Sequence, residues 1–128
     1  MKFKKKILVS LVSALVSTAS FAETCPTVDS ISTKNPDGTM NINTPVGYTL
    51  QGGSTDHVTG ATFSFVDLGQ SPQEAAVLCA YIVSGGPFQN LTFVKFGSFS
   101  TSSGNWNPIE NFLFTCGPGP DPSECVWN

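Results

Sequence analysis

The chain has 128 residues, of which 40 % are hydrophobic and 12 % are charged, and its formal net charge is −3 at pH 7. It contains six lysines and no arginine, and four of the lysines lie within the first six residues. Because binding to nucleic acid or to anionic lipid needs clustered Lys and Arg side chains, this composition excludes a nucleic-acid partner and disfavours docking on a lipid surface.

Residues 1–22 are predicted to be a cleavable secretory signal peptide. A lysine-rich start precedes an apolar stretch at 7–16, and Ser20 and Ala22 supply the small side chains that signal peptidase requires. The stretch has about ten residues where a membrane-spanning helix needs about twenty, so a short membrane anchor is the weaker alternative. A basic start followed by a segment rich in Ser and Ala is typical of bacterial signal peptides. We therefore expect a periplasmic or secreted protein with no membrane insertion after cleavage.

Cleavage leaves residues 23–128, a length that suits a single β-rich mature domain. This segment keeps all nine carboxylate side chains but only Lys34 and Lys95, so its formal charge is −7. Complementary charge speeds association, and a basic protein partner would therefore suit this domain. The alternative is that the charge serves only solubility.

The beginning of the domain combines a predicted helical turn, a tight turn and a weak strand. Thr24 precedes Cys25 and Pro26 and could cap a short helical turn, because Pro is tolerated in the first turn of a helix. The sequence Asn-Pro-Asp-Gly at 35–38 is a strong turn signal. After a polar stretch, residues 48–51 are predicted to form the weak strand.

The middle of the chain carries three predicted strands. Residues 61–68 alternate between apolar and polar side chains, which places Phe63 and Phe65 on one face. Residues 75–83 are apolar on both faces, so this strand is predicted to be central in its layer, although a short buried helix would show a similar run. A Gly-rich break separates it from the strand predicted at 91–96, and the two strands form a candidate hairpin.

The last part of the chain is predicted to contain a polar loop at 98–107 and a strand at 111–116, with Phe112 and Phe114 on one face. Residues 125–128 are a candidate last strand. The pattern shows neither an amphipathic helix of useful length nor an internal repeat. We therefore expect a mainly β fold, a small antiparallel sandwich or partly closed barrel of about five to seven strands stapled by two disulfides.

The chain has four cysteines, and an even number of cysteines in a small exported protein favours pairing into disulfides, here two. The favoured pairs are Cys116 with Cys125 and Cys25 with Cys79, because residues 117–124 are rich in Gly and Pro and must form a loop that a disulfide easily closes. The alternative pairing joins Cys25 to Cys125 and Cys79 to Cys116. The chain has no CxxC motif, so a thioredoxin-type redox site and a zinc site both fit poorly.

The residue sets needed for catalysis or for a cofactor are missing from the sequence. His57 is the only histidine, so a Ser/His/Asp site would have to combine it with Asp56 or Asp67 and a serine. The sequence has neither a nucleophile-elbow motif nor a phosphate-binding glycine loop, and its carboxylates are scattered rather than paired for glycoside cleavage. Calcium-loop spacing is also absent. We therefore expect that the protein is not an enzyme and takes no cofactor and no metal.

Two tryptophans are the remaining candidates for a functional role. Trp106 lies in the predicted polar loop, where an exposed indole could stack on a sugar or anchor a protein partner. The alternative is that Trp106 plugs the end of the β core. Trp127, close to Cys125, is expected to pack on a disulfide.

Three local sequence features occur together in this chain: Thr-Cys-Pro-Thr-Val-Asp-Ser-Ile at 24–31, Leu-Cys-Ala-Tyr at 78–81, and Cys-x-Trp at 125–127. This layout resembles the EirA-like small periplasmic proteins of intracellular bacterial pathogens, which are associated with type IV secretion and growth in host cells. The resemblance implies a non-enzymatic periplasmic protein that supports virulence machinery. It transfers no site residue to this chain.

These observations predict an exported, non-catalytic, disulfide-bonded interaction protein of the periplasm that binds a protein partner, with a basic partner as one option. Two alternatives stay open. One is an acidic inhibitor of a basic hydrolase such as lysozyme, because a charge of −7 suits a cationic enzyme. The other is a carbohydrate-binding module that uses Trp106.

Overall fold

Eight strands and two short helical segments form the described part of the chain, which in the computed structural model comprises residues 22–73, 75–119 and 121–128. All but the last residue of the predicted signal peptide lies outside the described residues. The elements in chain order are α1 (Val28–Ile31), β1 (Ser32–Lys34), β2 (Met40–Ile42), β3 (Thr49–Gly52), β4 (Gly60–Gly69), β5 (Ala76–Ser84), β6 (Asn90–Phe96), β7 (Trp106–Glu110), β8 (Leu113–Cys116) and a final 3-10 turn (Pro122–Glu124).

Six of these strands form one antiparallel sheet in the order β3-β6-β5-β4-β8-β7, and β1 and β2 form a separate two-stranded sheet. β5 pairs with both β4 and β6, so the predicted central strand and the predicted hairpin are confirmed and the buried-helix alternative is wrong. The large sheet is open, with β3 and β7 at its edges. The predicted mainly β, antiparallel fold is therefore confirmed. Of the two predicted forms the structure has the sandwich, and its sheet does not close into a barrel.

The structure has more strands than the sequence pattern indicates, because three short strands carry no clear alternation. β1 and β2 flank the predicted turn at 35–38 and pair through it. Residues 98–107 are not a loop throughout, since Trp106 begins β7, which pairs with β8. Strands of three to five residues at a sheet edge bury few side chains, so hydrophobic periodicity does not reveal them.

Both ends of the domain also differ in detail from expectation. The helical turn begins at Val28 and is capped by Thr27 rather than Thr24, and the Thr27 hydroxyl accepts a hydrogen bond from the Ser30 backbone N–H. Residues 125–128 are not a strand. Trp127 instead forms isolated bridges to both Glu23 and Thr101.

The core lies between one face of the six-stranded sheet and a second layer that contains the N-terminal segment, the β1–β2 hairpin and the C-terminus. Tyr81 is central to it, since its ring packs edge-on against Phe63 and Phe93, and its hydroxyl donates to the Pro26 carbonyl at 2.6 Å. The sheet also contributes Val66, Leu68, Val77, Val83 and Leu91, and the second layer contributes Ile31, Ile42, Val58 and Trp127. Burial of these apolar side chains is the main stabilising contribution.

A β-bulge at Ser64 divides β4 into two halves. Phe63 pairs with Tyr81 while Phe65 pairs with Ala80, which leaves Ser64 without a partner in β5. Since directly paired residues of neighbouring antiparallel strands project to the same face, Phe63 faces the core and Phe65 faces the opposite side. The prediction that these two phenylalanines share a face is therefore wrong, because one extra residue reverses the alternation.

The loop that follows β8 holds the bulge in place. The Ser64 carbonyl accepts a hydrogen bond from the Gly119 N–H at 3.2 Å. Gly117 approaches so closely that a Cβ at this position would lie 2.9 Å from the Ser64 oxygen and 3.1 Å from the Phe65 Cα. The bond between Cys116 and Cys125 closes this loop. The bulge and the C-terminal disulfide loop therefore support each other.

The two predicted disulfides are confirmed. Cys25 is bonded to Cys79 and Cys116 to Cys125, each with a Cα–Cα distance of 5.8 Å, and the alternative pairing is wrong. In the chain-entropy view the first bond contributes about 4 kcal/mol and the second, which closes a shorter loop, about 3 kcal/mol. Two structural disulfides are typical of a protein in an oxidising compartment outside the cytoplasm.

Glu23 ties the N-terminal segment to the C-terminus, a role that the sequence does not indicate. Its backbone pairs with that of Trp127 in an antiparallel bridge. One carboxylate oxygen accepts from the Lys95 ammonium at 2.7 Å, and the other accepts from the Trp127 indole N–H at 3.2 Å. The residue that follows the predicted cleavage point is therefore held at its backbone and at both side-chain oxygens.

Replacing Gly117 should test the dependence of the fold on the bulge. Gly117 and Gly38 both have left-handed φ values, of 121° and 89°, but a Cβ at Gly38 would have no neighbour within 4 Å. Gly38→Ala should cost about 1 kcal/mol of unfolding free energy from backbone conformation alone. Gly117→Ala should cost at least about 1 kcal/mol more, because the methyl group also displaces the Ser64 carbonyl from its hydrogen bond.

Urea unfolding of the disulfide-intact variants, followed by tryptophan fluorescence, measures both costs. Equal losses in the two variants would contradict the proposed role of the Gly117 contact.

Candidate functional site

A groove of about 560 Å³ lies on the face of the six-stranded sheet that points away from the core. Most of its lining is apolar and comes from the middle strands. The lining includes Asp67, Ala76, Leu78, Val94, Phe96 and Leu113. The polar lining residues of the groove are Thr49, Gln51, Gln73 and Asp67. A concave, mainly apolar surface with a few polar groups is the usual form of a binding site.

The strand register places the groove residues in two rows that cross the sheet. Each row connects directly paired residues, which project to the same face. The first row runs from β3 to β7 through Thr49, Val94, Leu78, Asp67, Thr115 and Asn107. The second row runs from β6 to β7 through Phe96, Ala76, Gly69, Leu113 and Glu110.

Small residues create the depression between these rows. In the second row, Gly69 and Ala76 stand side by side in the two middle strands, between Phe96 and Leu113. Gly69 has no side chain and Ala76 has only a methyl group, so space remains above the sheet at these two positions. Phe96 borders this space on one side and is 74 % exposed. The groove is therefore a consequence of residue size in two adjacent strands.

Asp67 is the one ionisable side chain among the described residues that line the groove. It lies in the first row between Leu78 and Thr115. Uninterrupted alternation from Phe63 would direct Asp67 into the core, and the bulge at Ser64 turns it to the groove instead. The polar group of the site thus depends on the bulge.

The Asp67 carboxyl is incompletely satisfied. Among the described residues, its Oδ1 is the one buried side-chain polar atom without a hydrogen-bond partner. Burial raises the pKa of Asp67, and the Thr115 hydroxyl partly opposes this rise. An unsatisfied buried acceptor costs about 1–3 kcal/mol of stability. A group that destabilises the fold at a groove is a candidate for function.

Both lysines of residues 23–128 lie away from the groove. Lys95 is paired with Val77 and therefore projects to the core side, where its ammonium is bound by Glu23. Lys34 belongs to β1 in the separate two-stranded sheet. Because Glu110 stands at the β7 end of the second row, the groove face carries carboxylates and neither lysine.

Phe112 lies in a strained turn between β7 and β8, directly before the groove residue Leu113. The predicted strand at 111–116 begins only at Leu113, so Phe112 does not share a strand face with Phe114. Phe112 has a φ of 65° and is 61 % exposed, and its carbonyl accepts from the Gln70 N–H at 2.7 Å. A left-handed conformation is unfavourable for a bulky side chain, and such strain concentrates at functional positions.

The structure does not join His57 to the acidic residues considered with it. His57 lies in the exposed loop before β4, and its Nδ1 is 3.2 Å from the Thr39 hydroxyl and 3.6 Å from an Asp37 carboxylate oxygen. Hydrogen bonds from Thr39, with a smaller contribution from His57, lower the pKa of Asp37. Asp67 faces the groove on the sheet, so a site combining His57 with Asp67 is not formed.

Trp106 is half-buried against the core rather than displayed in a loop. Its indole N–H donates to the Val126 carbonyl at 3.0 Å and so helps to hold the C-terminal segment. Binding of a sugar or a partner by Trp106 stays a prediction. Trp127 is fully buried in the same core cluster as Cys25 and Cys125.

Comparisons with protein families, curated proteins and solved structures found no match to this chain. Within the described residues, no group of three or more His, Cys, Asp or Glu side chains could hold a metal ion. The same residues include no helix long and apolar enough to cross a membrane.

The sequence indicates Asp67 only as a possible partner of His57, and it does not indicate the groove. One signal was present, because Asp67 interrupts an otherwise apolar strand segment, Phe-Val-Asp-Leu at 65–68. A carboxylate in the interior of a strand next to buried residues is unusual unless it has a partner or a function.

The pH dependence of stability should reveal the Asp67 environment. Because its pKa is raised in the folded protein, the native state binds this proton more tightly than the unfolded chain. The protonated Asp67 carboxyl therefore contributes stability that is lost as the pH rises from about 4, its pKa in the unfolded chain, through its higher pKa in the folded protein. Asp67→Asn removes this loss and should raise the unfolding free energy at pH 7 by about 1 kcal/mol.

Urea unfolding of the parent and of Asp67→Asn, at pH 7 and at a pH below the pKa of Asp67 in the unfolded chain, checks this expectation. The stabilisation should be present at pH 7 and absent at the acidic pH. Asp56→Asn is the matched control, because Asp56 is exposed in a loop and should leave the midpoint unchanged. An Asp67→Asn variant that is no more stable than the parent at pH 7 would contradict it.

Proposed function

We propose that this protein is an exported, non-catalytic interaction protein that binds a protein partner in the periplasm. The observation that carries the proposal is the apolar groove on the outer face of a disulfide-stabilised sheet. The resemblance to EirA-like proteins adds that the partner belongs to type IV secretion or related virulence machinery.

The side chains around the groove suit a protein contact. Phe96 lines the groove and is 74 % exposed. Phe112 directly precedes the groove residue Leu113 and is 61 % exposed. Ile82 lies on the same face of β5 as Leu78 and is 51 % exposed. Interface centres are enriched in aromatic residues, and exposed apolar groups near a concave surface favour a protein partner. Two disulfides attach the N-terminal segment to β5 and the C-terminal segment to β8, and such preorganisation lowers the entropic cost of association.

The non-catalytic part of the proposal rests on how the potential catalytic groups are placed. The single histidine is engaged by Thr39 and Asp37 in an exposed loop. Asp67 stands among apolar side chains and beside a threonine rather than beside a nucleophile and a base. This arrangement favours recognition over bond-breaking chemistry.

Site-specific photo-crosslinking in the native periplasm tests the proposal. A benzophenone amino acid at Phe96, beside the groove, should give a discrete protein adduct. The same substitution at Phe88 is the matched control, because Phe88 is 61 % exposed in the loop between β5 and β6 and does not line the groove. Absence of an adduct from Phe96, or equal adducts from both positions, would contradict a partner at this face.

Inhibition of a basic hydrolase is the second candidate, and the charge of −7 on residues 23–128 is the observation that favours it. Association with a cationic lysozyme should then be strong at low salt and weak at high salt, because salt screens exposed charges. A lysozyme activity assay at both salt concentrations measures this, with lysine-acetylated lysozyme as control. Full enzyme activity at both concentrations in the presence of the folded protein would remove this candidate.

A further inference from the structure

The groove contains a negative group that the described chain does not neutralise. The buried Oδ1 of Asp67 has no hydrogen-bond partner, although the rest of the carboxyl lies beside Thr115. Lys95 is bound by Glu23 on the other side of the sheet, and Lys34 lies in the second layer. A cation for Asp67 therefore has to come from another molecule.

The surroundings of Asp67 restrict what can deliver that cation. Leu78 and Val94 continue its row on one side, and Phe96 and Leu113 bound the next row. A fully hydrated ion or a polar peptide would leave these apolar surfaces without contact. A basic side chain flanked by apolar ones would cover them and place its cation at the carboxyl.

We infer that the groove binds an apolar peptide segment of the partner that carries one Lys or Arg, and that this cation pairs with Asp67. This inference rests on the proposed function and adds the chemistry of the bound segment. Asp67 is the one carboxylate among the described residues that line the groove, and the charge of one ammonium or guanidinium group matches its own. Apolar contacts supply the remaining affinity, and the ion pair supplies the selectivity.

A second copy of this chain is the poorer occupant. A symmetric dimer through this face would bring Asp67 and Glu110 of one protomer toward the same carboxylates of the other. Neither lysine of residues 23–128 lies on the face to offset that repulsion. Charge complementarity therefore favours a different, basic partner.

Selection of peptides from a random phage-displayed library on the exported, disulfide-intact protein tests this inference. We expect enriched sequences with one Lys or Arg between apolar residues. The enriched peptide should bind Asp67→Asn at least about tenfold more weakly. Asp56→Asn, which removes an exposed loop carboxylate, should bind it unchanged, and Ala76→Phe, which fills the groove, should not bind it.

A double-mutant cycle isolates the ion pair. Replacing the basic residue of the peptide by norleucine should weaken binding to the parent protein but not to Asp67→Asn. Asp67→Asn is expected to be at least as stable as the parent, so loss of folding does not obscure the result. Urea unfolding of each variant confirms that it is folded.

Three results would overturn the inference: no enriched sequence, enriched sequences without a basic residue, or equal binding to the parent and to Asp67→Asn. A dimer that Ala76→Phe dissociates would assign the groove to a second copy instead. The proposed function can survive these results. If the Phe96 adduct forms equally in the Asp67→Asn background, a partner binds this face but does not use the ion pair.

Discussion

The β-bulge at Ser64 is the constraint on which the rest of the structure depends. A sheet strand alternates its side chains strictly, so β4 could not otherwise direct both Phe63 and the pair Val66 and Leu68 into one core. One extra residue resolves this conflict. The freed Ser64 carbonyl then needs a donor, and the Gly119 N–H supplies it from a loop that a disulfide closes.

The same bulge determines which side chains line the groove. Beyond Ser64, it directs Asp67 outward into a row with Leu78 and Thr115 while the neighbouring side chains fill the core. The groove therefore has a polar centre in an apolar sheet face, and this centre costs stability. Two disulfides, a packed core and the attachment of Glu23 to Trp127 offset that cost. A fold stabilised in this way can maintain an unsatisfied carboxyl at the groove.

Much of the architecture could be predicted from the sequence. Residues 75–83 are apolar on both faces, and this local property is enough to indicate a central strand. The cysteine pairing also followed from local information, because residues 117–124 must loop and so bring Cys116 to Cys125. The short strands were harder to predict, since β1, β2 and β7 bury too few side chains to leave a periodic pattern.

By itself the sequence determined the mainly β class and the excess of carboxylates over lysines, because each follows from residue type or from neighbours along the chain. It favoured the correct disulfide pairs but left a second pairing open, and the tertiary structure decided between them. Only the tertiary structure decided that Phe63 and Phe65 face opposite sides and that Asp67 enters a groove. These outcomes depend on a hydrogen bond from Gly119, far along the chain, and on the register of the six strands of the sheet. Strand register joins distant segments, and a shift of one residue reverses every side chain beyond it.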